Sequence, residues 1–314
     1  MKQFILFLMV VLLGFNSTIA QNKARIIEQK TPAINGHKFL STNQLRSPII
    51  STNLETNVGF GTTSVIKIPG IDIGDQNVFS FQGRIFYVDF NLEYQQKFTS
   101  WLSLLISIKM AGRLGSDVST MIADGVNTVS GGNIGWLIKL KETEKFYLSG
   151  SIRASNITGS FINVGEYLQD VLSGNPYPSL SKKTPASTVG VGIRGAYAFN
   201  PIYGLQFNTE VFHGESLHRE TTGTYYKFSL LGDVDFNESH DVPIALALGY
   251  SLSSTPEVSM DNNGFSSLYE GKIGYSGSSD FELGAQFTFY KIDLTTVEST
   301  TAISKIMLGL KFYF

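Results

Sequence analysis

The chain has 314 residues, a formal net charge of −2 and only 16% charged side chains, where a soluble protein carries roughly 25%. Its mean hydropathy is +0.05, well short of a bundle of membrane helices, each of which needs a long and nearly uncharged apolar run. That balance argues against nucleic acid as a partner, and the absence of cysteine excludes disulfides, thiol catalysis, thiolate metal sites and a lipidated cysteine anchor.

Residues 1–20 read as a secretory signal peptide. Lys2 supplies the positive start, and the apolar run 4–15 is shorter than the about 20 residues that span a bilayer. Thr18 and Ala20 are small residues at the −3 and −1 positions of a cleavage site. No later run of about 18 apolar residues follows. A chain of this kind enters a membrane only as a closed β-barrel, which leaves no backbone group unpaired in lipid. Residues 21–55 have no clear periodicity and contain Pro32, Gly36 and Pro48 with Lys23, Arg25, Lys30, Lys38 and Arg46. They read either as a periplasmic arm or as a segment folded into the lumen as a plug.

After that the sequence alternates almost to its end. Strands are expected at 56–68, 79–95, 101–111, 133–141, 146–155, 188–199, 204–211, 225–236, 244–252, 268–275, 281–290 and 302–314. In the second, Phe86, Val88, Phe90, Leu92 and Tyr94 alternate with Asp89, Asn91, Glu93 and Gln95. In the third, Leu102, Leu104, Ile106, Ile108 and Met110 alternate with Ser103, Ser107 and Lys109. Successive side chains of a strand point to opposite faces, so each strand has one oily face and one wet face. The expected fold is all-β: one antiparallel transmembrane barrel over 56–314, of about twelve strands, or fourteen if a pair is hidden in 36–54, with short helices in long extracellular loops.

The connections sort by parity. Links 276–280, 237–243, 200–203, 142–145 and 96–100 are short and polar or rich in Pro and Gly. Links 69–78, 112–132, 156–187, 212–224, 253–267 and 291–301 alternate with them and are longer. Short periplasmic turns and longer outer loops are the rule in such barrels. Aromatics, among them Phe98, Trp101, Phe146, Tyr203, Phe281 and Phe312, collect near the short-link end, as an interfacial girdle does. Two outer links carry helical stripes: Val118, Met121 and Ile122 in 116–126, and Val164, Tyr167, Leu168, Val171 and Leu172 in 164–172.

The wet face supplies the candidate lumen lining: Asp89, Glu93, Lys109, Lys139, Arg153, Arg194, Glu210, Lys227, Asp233, Lys272 and Glu282, with Arg113, Asp235, Glu270, Lys305 and Lys311. These charges either line a watery channel or pair and close a narrow lumen; about twelve strands enclose less than the 16–18 of general porins. Arg84 has lipid-face parity and is placed near the outer rim. His213, Glu215 and His218 share one loop, but their spacing is not that of a metal site. Ser216 beside His218 has no orienting acid, so a hydrolase reading is weak. Asp261, Asn262, Asn263 and Gly264 are turn residues. No phosphate loop, zinc motif or dinucleotide fingerprint appears. No catalytic, metal or cofactor residue is expected, and no enzyme.

The last stretch, I-M-L-G-L-K-F-Y-F over 306–314, sets Ile306, Leu308, Leu310, Phe312 and Phe314 on one face and interposes Lys311 on the other. It resembles the closing strand of Gram-negative outer-membrane β-barrels. More loosely, 56–314 resembles the fatty-acid-transporter-like barrels, which take up hydrophobic compounds. The resemblance implies the cell outer membrane, contact with its lipid, and delivery to barrel-assembly machinery through the C-terminal strand. It implies a narrow or gated passive channel for small or apolar solutes, or a non-conducting barrel that docks another envelope or secretion protein. No motif carries individual functional residues across.

Overall fold

The computed structural model describes residues 31–314 apart from 74–75, 115–124, 163, 216, 218–221, 255–264 and 295–298. The expected signal peptide, Ser216, His218, the first helical stripe and the turn residues Asp261 to Gly264 lie outside the described residues. In chain order come a hairpin of β1 (Ala33–Ile34) and β2 (His37–Lys38), then β3 (Asn53–Thr63), then a second hairpin of β4 (Ile66–Ile73) and β5 (Gln76–Gly83). There follow β6 (Phe86–Lys97), β7 (Leu102–Leu114), β8 (Gly125–Glu142), β9 (Phe146–Ile162), β10 (Ser181–Ala198) and β11 (Tyr203–Glu215). The last strands are β12 (Thr222–Asp235), β13 (Ile244–Ser253), β14 (Ser266–Tyr275), β15 (Phe281–Leu294) and β16 (Ser299–Tyr313). Among the described residues two helices lie in links, α1 (Val164–Leu172) and α2 (Asn237–His240).

β3 and β6 to β16 form one closed antiparallel barrel of twelve strands. Closure is made by the C-terminal strand: β16 pairs with β3 from Ile303↔Thr63 to Tyr313↔Asn53. The expected fourteenth and thirteenth strands are not in the wall; the pair within 36–54 is reduced to β2, half of a two-stranded sheet.

The alternation is inside-out relative to a water-soluble core. Along β3, Glu55 and Asn57 are buried while Val58 and Phe60 are exposed, and along β16 Met307 and Lys311 are buried while Leu308 and Phe312 are exposed. Leu308 and Phe314 are 65% and 64% exposed, and Leu310 is intermediate. Ile106, Leu248 and Phe287 all point away from the molecule. An apolar belt of this extent on a closed sheet is the surface that lipid covers. Leu248, in the middle of β13, is 76% exposed. Leu248→Arg is therefore expected to cost about 2–4 kcal/mol, the charge penalty near a bilayer midplane. Denaturant unfolding in phospholipid vesicles measures it, and a change near zero would place that face in water.

Three expectations need correction. The first barrel strand starts at Asn53, not Thr56, and stops at Thr63, because 66–83 form the separate hairpin β4–β5. The expected strand 79–95 is consequently divided, its first part in β5 and the rest in β6. Alternation alone does not show where a strand changes partner, but its phase does. Apolar positions are odd at Phe79 and Phe81 and even at Phe86 and Val88. Second, the loops do not sort cleanly by length: the far-end links 216–221 and 295–298 are as short as turns. The strands run on past the apolar belt, with 18 residues in β8 and β10 where about 9–11 cross a membrane. Beyond the belt neither face must be apolar, and stretches such as Thr158 to Ser160 against Lys183 to Pro185 keep pairing. Third, the short helix α2 lies in a link at the short-turn end.

Candidate functional site

The lumen holds residues 31–52 of the same chain. Their partners come from strands around the whole circumference and have inward parity, which places the segment inside the barrel. The segment begins as a tight hairpin. Asn35 and Gly36 have φ of 50° and 77°, the paired positive angles of a type I′ turn, for which Asn-Gly is the preferred sequence. The turn rests on the short link before β11, with Asn35 Nδ2 near the Ala198 carbonyl at 3.5 Å.

His37 follows and is 0% exposed. Its Nδ1 meets the Pro201 carbonyl at 3.0 Å and its Nε2 meets Asp233 Oδ2 at 3.2 Å. Burial drives the ring toward neutrality, but the hydrogen bond and charge of Asp233, the Pro201 carbonyl and the charge of Asp235 outweigh it, and the pKa is raised above 6.5. Beyond Lys38 the backbone has no strand ladder, so wall side chains take its polar groups. Leu40 N–H donates to Asp233 (2.9 Å) and Leu40 C=O accepts from Gln206 (2.6 Å). Ser41 C=O accepts from Lys272 at 2.7 Å, and Thr42 donates to Glu270 at 2.9 Å. Asn43 N–H donates to Gln286 at 3.2 Å, and Arg46 Nε binds Glu93 at 2.7 Å. Gln95 donates to the Ile49 carbonyl at 3.1 Å, and Ile50 N–H donates to the Tyr147 hydroxyl at 3.3 Å.

Dry contacts alternate with these. Leu40 and Leu45 pack on Leu231, Ala245 and Ala247; Ile34, Phe39 and Ile49 pack on Tyr147, Ala196 and Ala198; Ile50 packs on Leu105 and Leu137. Two glycines of the wall make room. A Cβ on Gly274 would lie 2.8 Å from Leu40 Cδ2, and one on Gly204 would run into His37 Nε2. Because Thr31 bonds Ser279 and β3 begins at Asn53, the segment enters and leaves at the short-turn end. It fills that part of the lumen.

The wall charges predicted from sequence are placed as follows. Asp89 pairs with Lys305 at 2.7 Å, Glu93 with Arg46 of the inner segment, and Lys272 with Glu282. Glu210 takes both Arg194 (2.9 Å) and Arg153 (3.4 Å). Lys227 faces Glu210 in register across β11–β12, and Lys109 faces Asn91 across β6–β7. Asp233 is spent on His37 and Leu40. Lys139 is at the short-turn end of β8 beside a register shift, paired with the exposed Glu142 at 2.7 Å. Lys311 pairs with Glu55 at 3.3 Å, a carboxylate that the sequence reading left in the N-terminal arm. Arg84 is exposed between β5 and β6. His213 and Glu215 lie on the outer face of β11, bonded to Thr224 and to the Ser187 N–H. Among the described residues no group of His, Asp and Glu is arranged to hold a metal ion.

The closed antiparallel wall, the apolar outer belt and the polar interior decide the architecture. The fold is that of an outer-membrane β-barrel. No protein-family model matches the chain, and no curated protein matches it. Among solved structures it is similar to a NanC porin, with 6% identity over 82% of this chain and 100% of that one and a TM-score of 0.48. A KdgM porin matches at 6% identity over 82% and 99%, with a TM-score of 0.43. The Pseudomonas putida toluene transporter TodX matches at 12% over 83% and 89%, with a TM-score of 0.42. Nothing about solute passes from them to this chain.

Proposed function

We propose that the barrel sits in a bacterial outer membrane as a passive channel for small solutes, held shut by residues 31–52. The observation that carries this reading is how the segment is attached. It shares no strand ladder with the wall; side-chain hydrogen bonds, ion pairs and small dry patches seat it, and all of these can be released without opening the barrel. Export through a cleaved leader at 1–20, and recognition of the C-terminal strand by assembly machinery, belong to the same reading. A barrel that conducts nothing and docks another envelope protein is the competing reading, favoured by the filled short-turn end of the lumen. Planar-bilayer recording of the full chain and of a variant lacking 31–51 separates them. The full chain is expected to be mostly closed and the deletion variant to give steady conductance steps. A folded deletion variant that stays silent would reject the channel and leave the docking reading.

A further inference from the structure

The outer wall carries an open hollow toward the end opposite the short turns. It lies across β7 to β11 and has a volume of about 740 Å³, within the roughly 300–1,000 Å³ of small-ligand sites. Small outward residues create it. Ile108 of β7 faces Gly132 of β8, Gly132 faces Asn156 of β9, and Asn156 faces Ser187 of β10. One row nearer the short turns, Ile106, Ile134, Ala154, Val189 and His213 succeed one another around the wall. Gly132 and Ala154 therefore form a floor between the isoleucines of β7 and β8 on one side and Val189 and His213 on the other.

The far margin of the hollow is polar. Asn156 Nδ2 donates to Ser187 Oγ at 2.8 Å, and the Ser187 N–H donates to Glu215 Oε2 at 3.0 Å. His213 Nδ1 meets Thr224 Oγ1 at 3.1 Å, which fixes the ring and leaves Nε2 for another partner. Asn156, Ser187, His213 and Glu215 are all exposed. Nearer the short turns the outward residues are apolar, as in Ile152, Val191 and Val211; farther out come Thr158, Pro185 and Lys183. This row is thus the level at which the lipid-covered belt gives way to polar surroundings. Glu215 is the one acidic residue at the hollow, and among the described residues no Lys or Arg lines it. An empty hollow in a lipid-facing wall forfeits dispersion contacts, so an acyl chain fills it. The hollow is no more apolar than the surrounding lipid, so any preference between lipids falls to its polar margin.

We propose that the hollow seats one membrane lipid whose head carries a phosphate followed by a primary amine. One acyl chain lies over Gly132 and Ala154, the phosphate meets His213, and the ammonium group meets Glu215 one row farther out. The order of these two residues along β11 matches the order of the two groups in the head. A carboxylate with no basic neighbour favours an ammonium donor by a charge-assisted hydrogen bond and repels a purely anionic head. The inference rests on the membrane placement of the belt and is independent of conduction. Native mass spectrometry tests it, on the full chain released from vesicles of equal phosphatidylethanolamine and phosphatidylglycerol with the same acyl chains. One phosphatidylethanolamine should stay on each barrel, in roughly five-fold excess over phosphatidylglycerol, the effect of one interfacial ion pair. Glu215→Gln, which can still accept from the Ser187 N–H, should bring the two lipids to parity. Ala154→Leu, which fills the floor and projects only toward lipid, should lose both, with the heat-resistant electrophoretic form of the barrel unchanged in each variant. Glu144→Gln, at an exposed acid in a short turn, should keep the parent's preference. Parity in the parent, a preference that survives Glu215→Gln or vanishes equally in Glu144→Gln, lipid retained by Ala154→Leu, or a second copy of the chain held in place of lipid would overturn the proposal.

Discussion

Gly204→Val combined with Gly274→Leu is expected to expel residues 31–52 from the lumen while the barrel stays intact. Both glycines face inward, and each gives up its side-chain volume to the inner segment: Gly204 to His37, Gly274 to Leu40. Overpacking of this kind costs about 1–3 kcal/mol per site. Since about 1.4 kcal/mol is ten-fold in an equilibrium, two such penalties weaken seating by well over ten-fold. The barrel ladders are untouched, because neither side chain projects toward lipid. Trypsin supplies the measurement. Cleavage after Lys38 and Arg46, slow in the parent protein, should rise at least ten-fold, with the heat-resistant electrophoretic form of the barrel unchanged. Gly232→Val is the control, because the space around its Cβ is open. Unchanged cleavage in the double variant would show that the two glycines are not sockets.

The barrel was legible in the sequence because a transmembrane strand is a local object. Its period is two, its faces differ in polarity, and neighbours such as Leu308, Leu310 and Phe312 state that difference without reference to the rest of the chain. The inner segment was not legible in the same way. Its hydrogen bonds run to side chains far away in sequence, as from Leu40 to Asp233 or Ser41 to Lys272, so no period marks it. Two signals were nonetheless present. Asn35-Gly36 is a strong hairpin dipeptide in a stretch otherwise without pattern. Leu105, Leu137 and Leu231 are apolar at inward parity, flanked on both sides by the outward set. A leucine facing a wet lumen exposes surface for no gain, so each one announces that something dry lies against it. Those three leucines touch Ile50, Leu40 or Leu45. The charges around Glu210 were half legible: parity put Arg153, Arg194 and Lys227 inside, but only the pairing register places them around that carboxylate.

The filled lumen also explains why the wall charges do not cancel one another across open water. A narrow barrel could pair opposite walls directly; here Arg46 and Ser41 of the inner segment stand between them and take Glu93, Lys272 and Lys311 as partners. Each of these partners loses one interaction when the segment leaves, but none becomes a lone charge in a dry core, because water replaces the segment. On the gated-channel reading, that asymmetry is what lets the seat be reversible: burial of a charge is prohibitive only where no solvent can follow.

His37→Asn is expected to abolish a pH dependence that the parent protein has. In the seated state the imidazole lies between the Pro201 carbonyl, an obligate acceptor, and the Asp233 carboxylate. Only the imidazolium donates to both. Lys38 points its amine away, to the Ser276 carbonyl, so the charges facing the ring are those of Asp233 and Asp235. Burial opposes protonation and these groups favour it, with the net pKa raised above the 6.5 of a free histidine. The released segment returns His37 to that ordinary value. A group whose pKa is higher when seated than when released binds an extra proton on seating. Its contribution is therefore complete below about pH 6.5 and fades as the pH climbs through the raised value. Hydrogen bonds to a charged group contribute about 1.5–3 kcal/mol each, so deprotonation should loosen the seat by ten-fold or more. Cleavage after Lys38 and Arg46, followed against pH with a protease of flat pH response, should rise steeply from neutral into alkaline solution in the parent. In His37→Asn it should be fast and level throughout, since asparagine keeps one donor and loses the charge. An unchanged pH profile in His37→Asn would mean that the latch lies elsewhere.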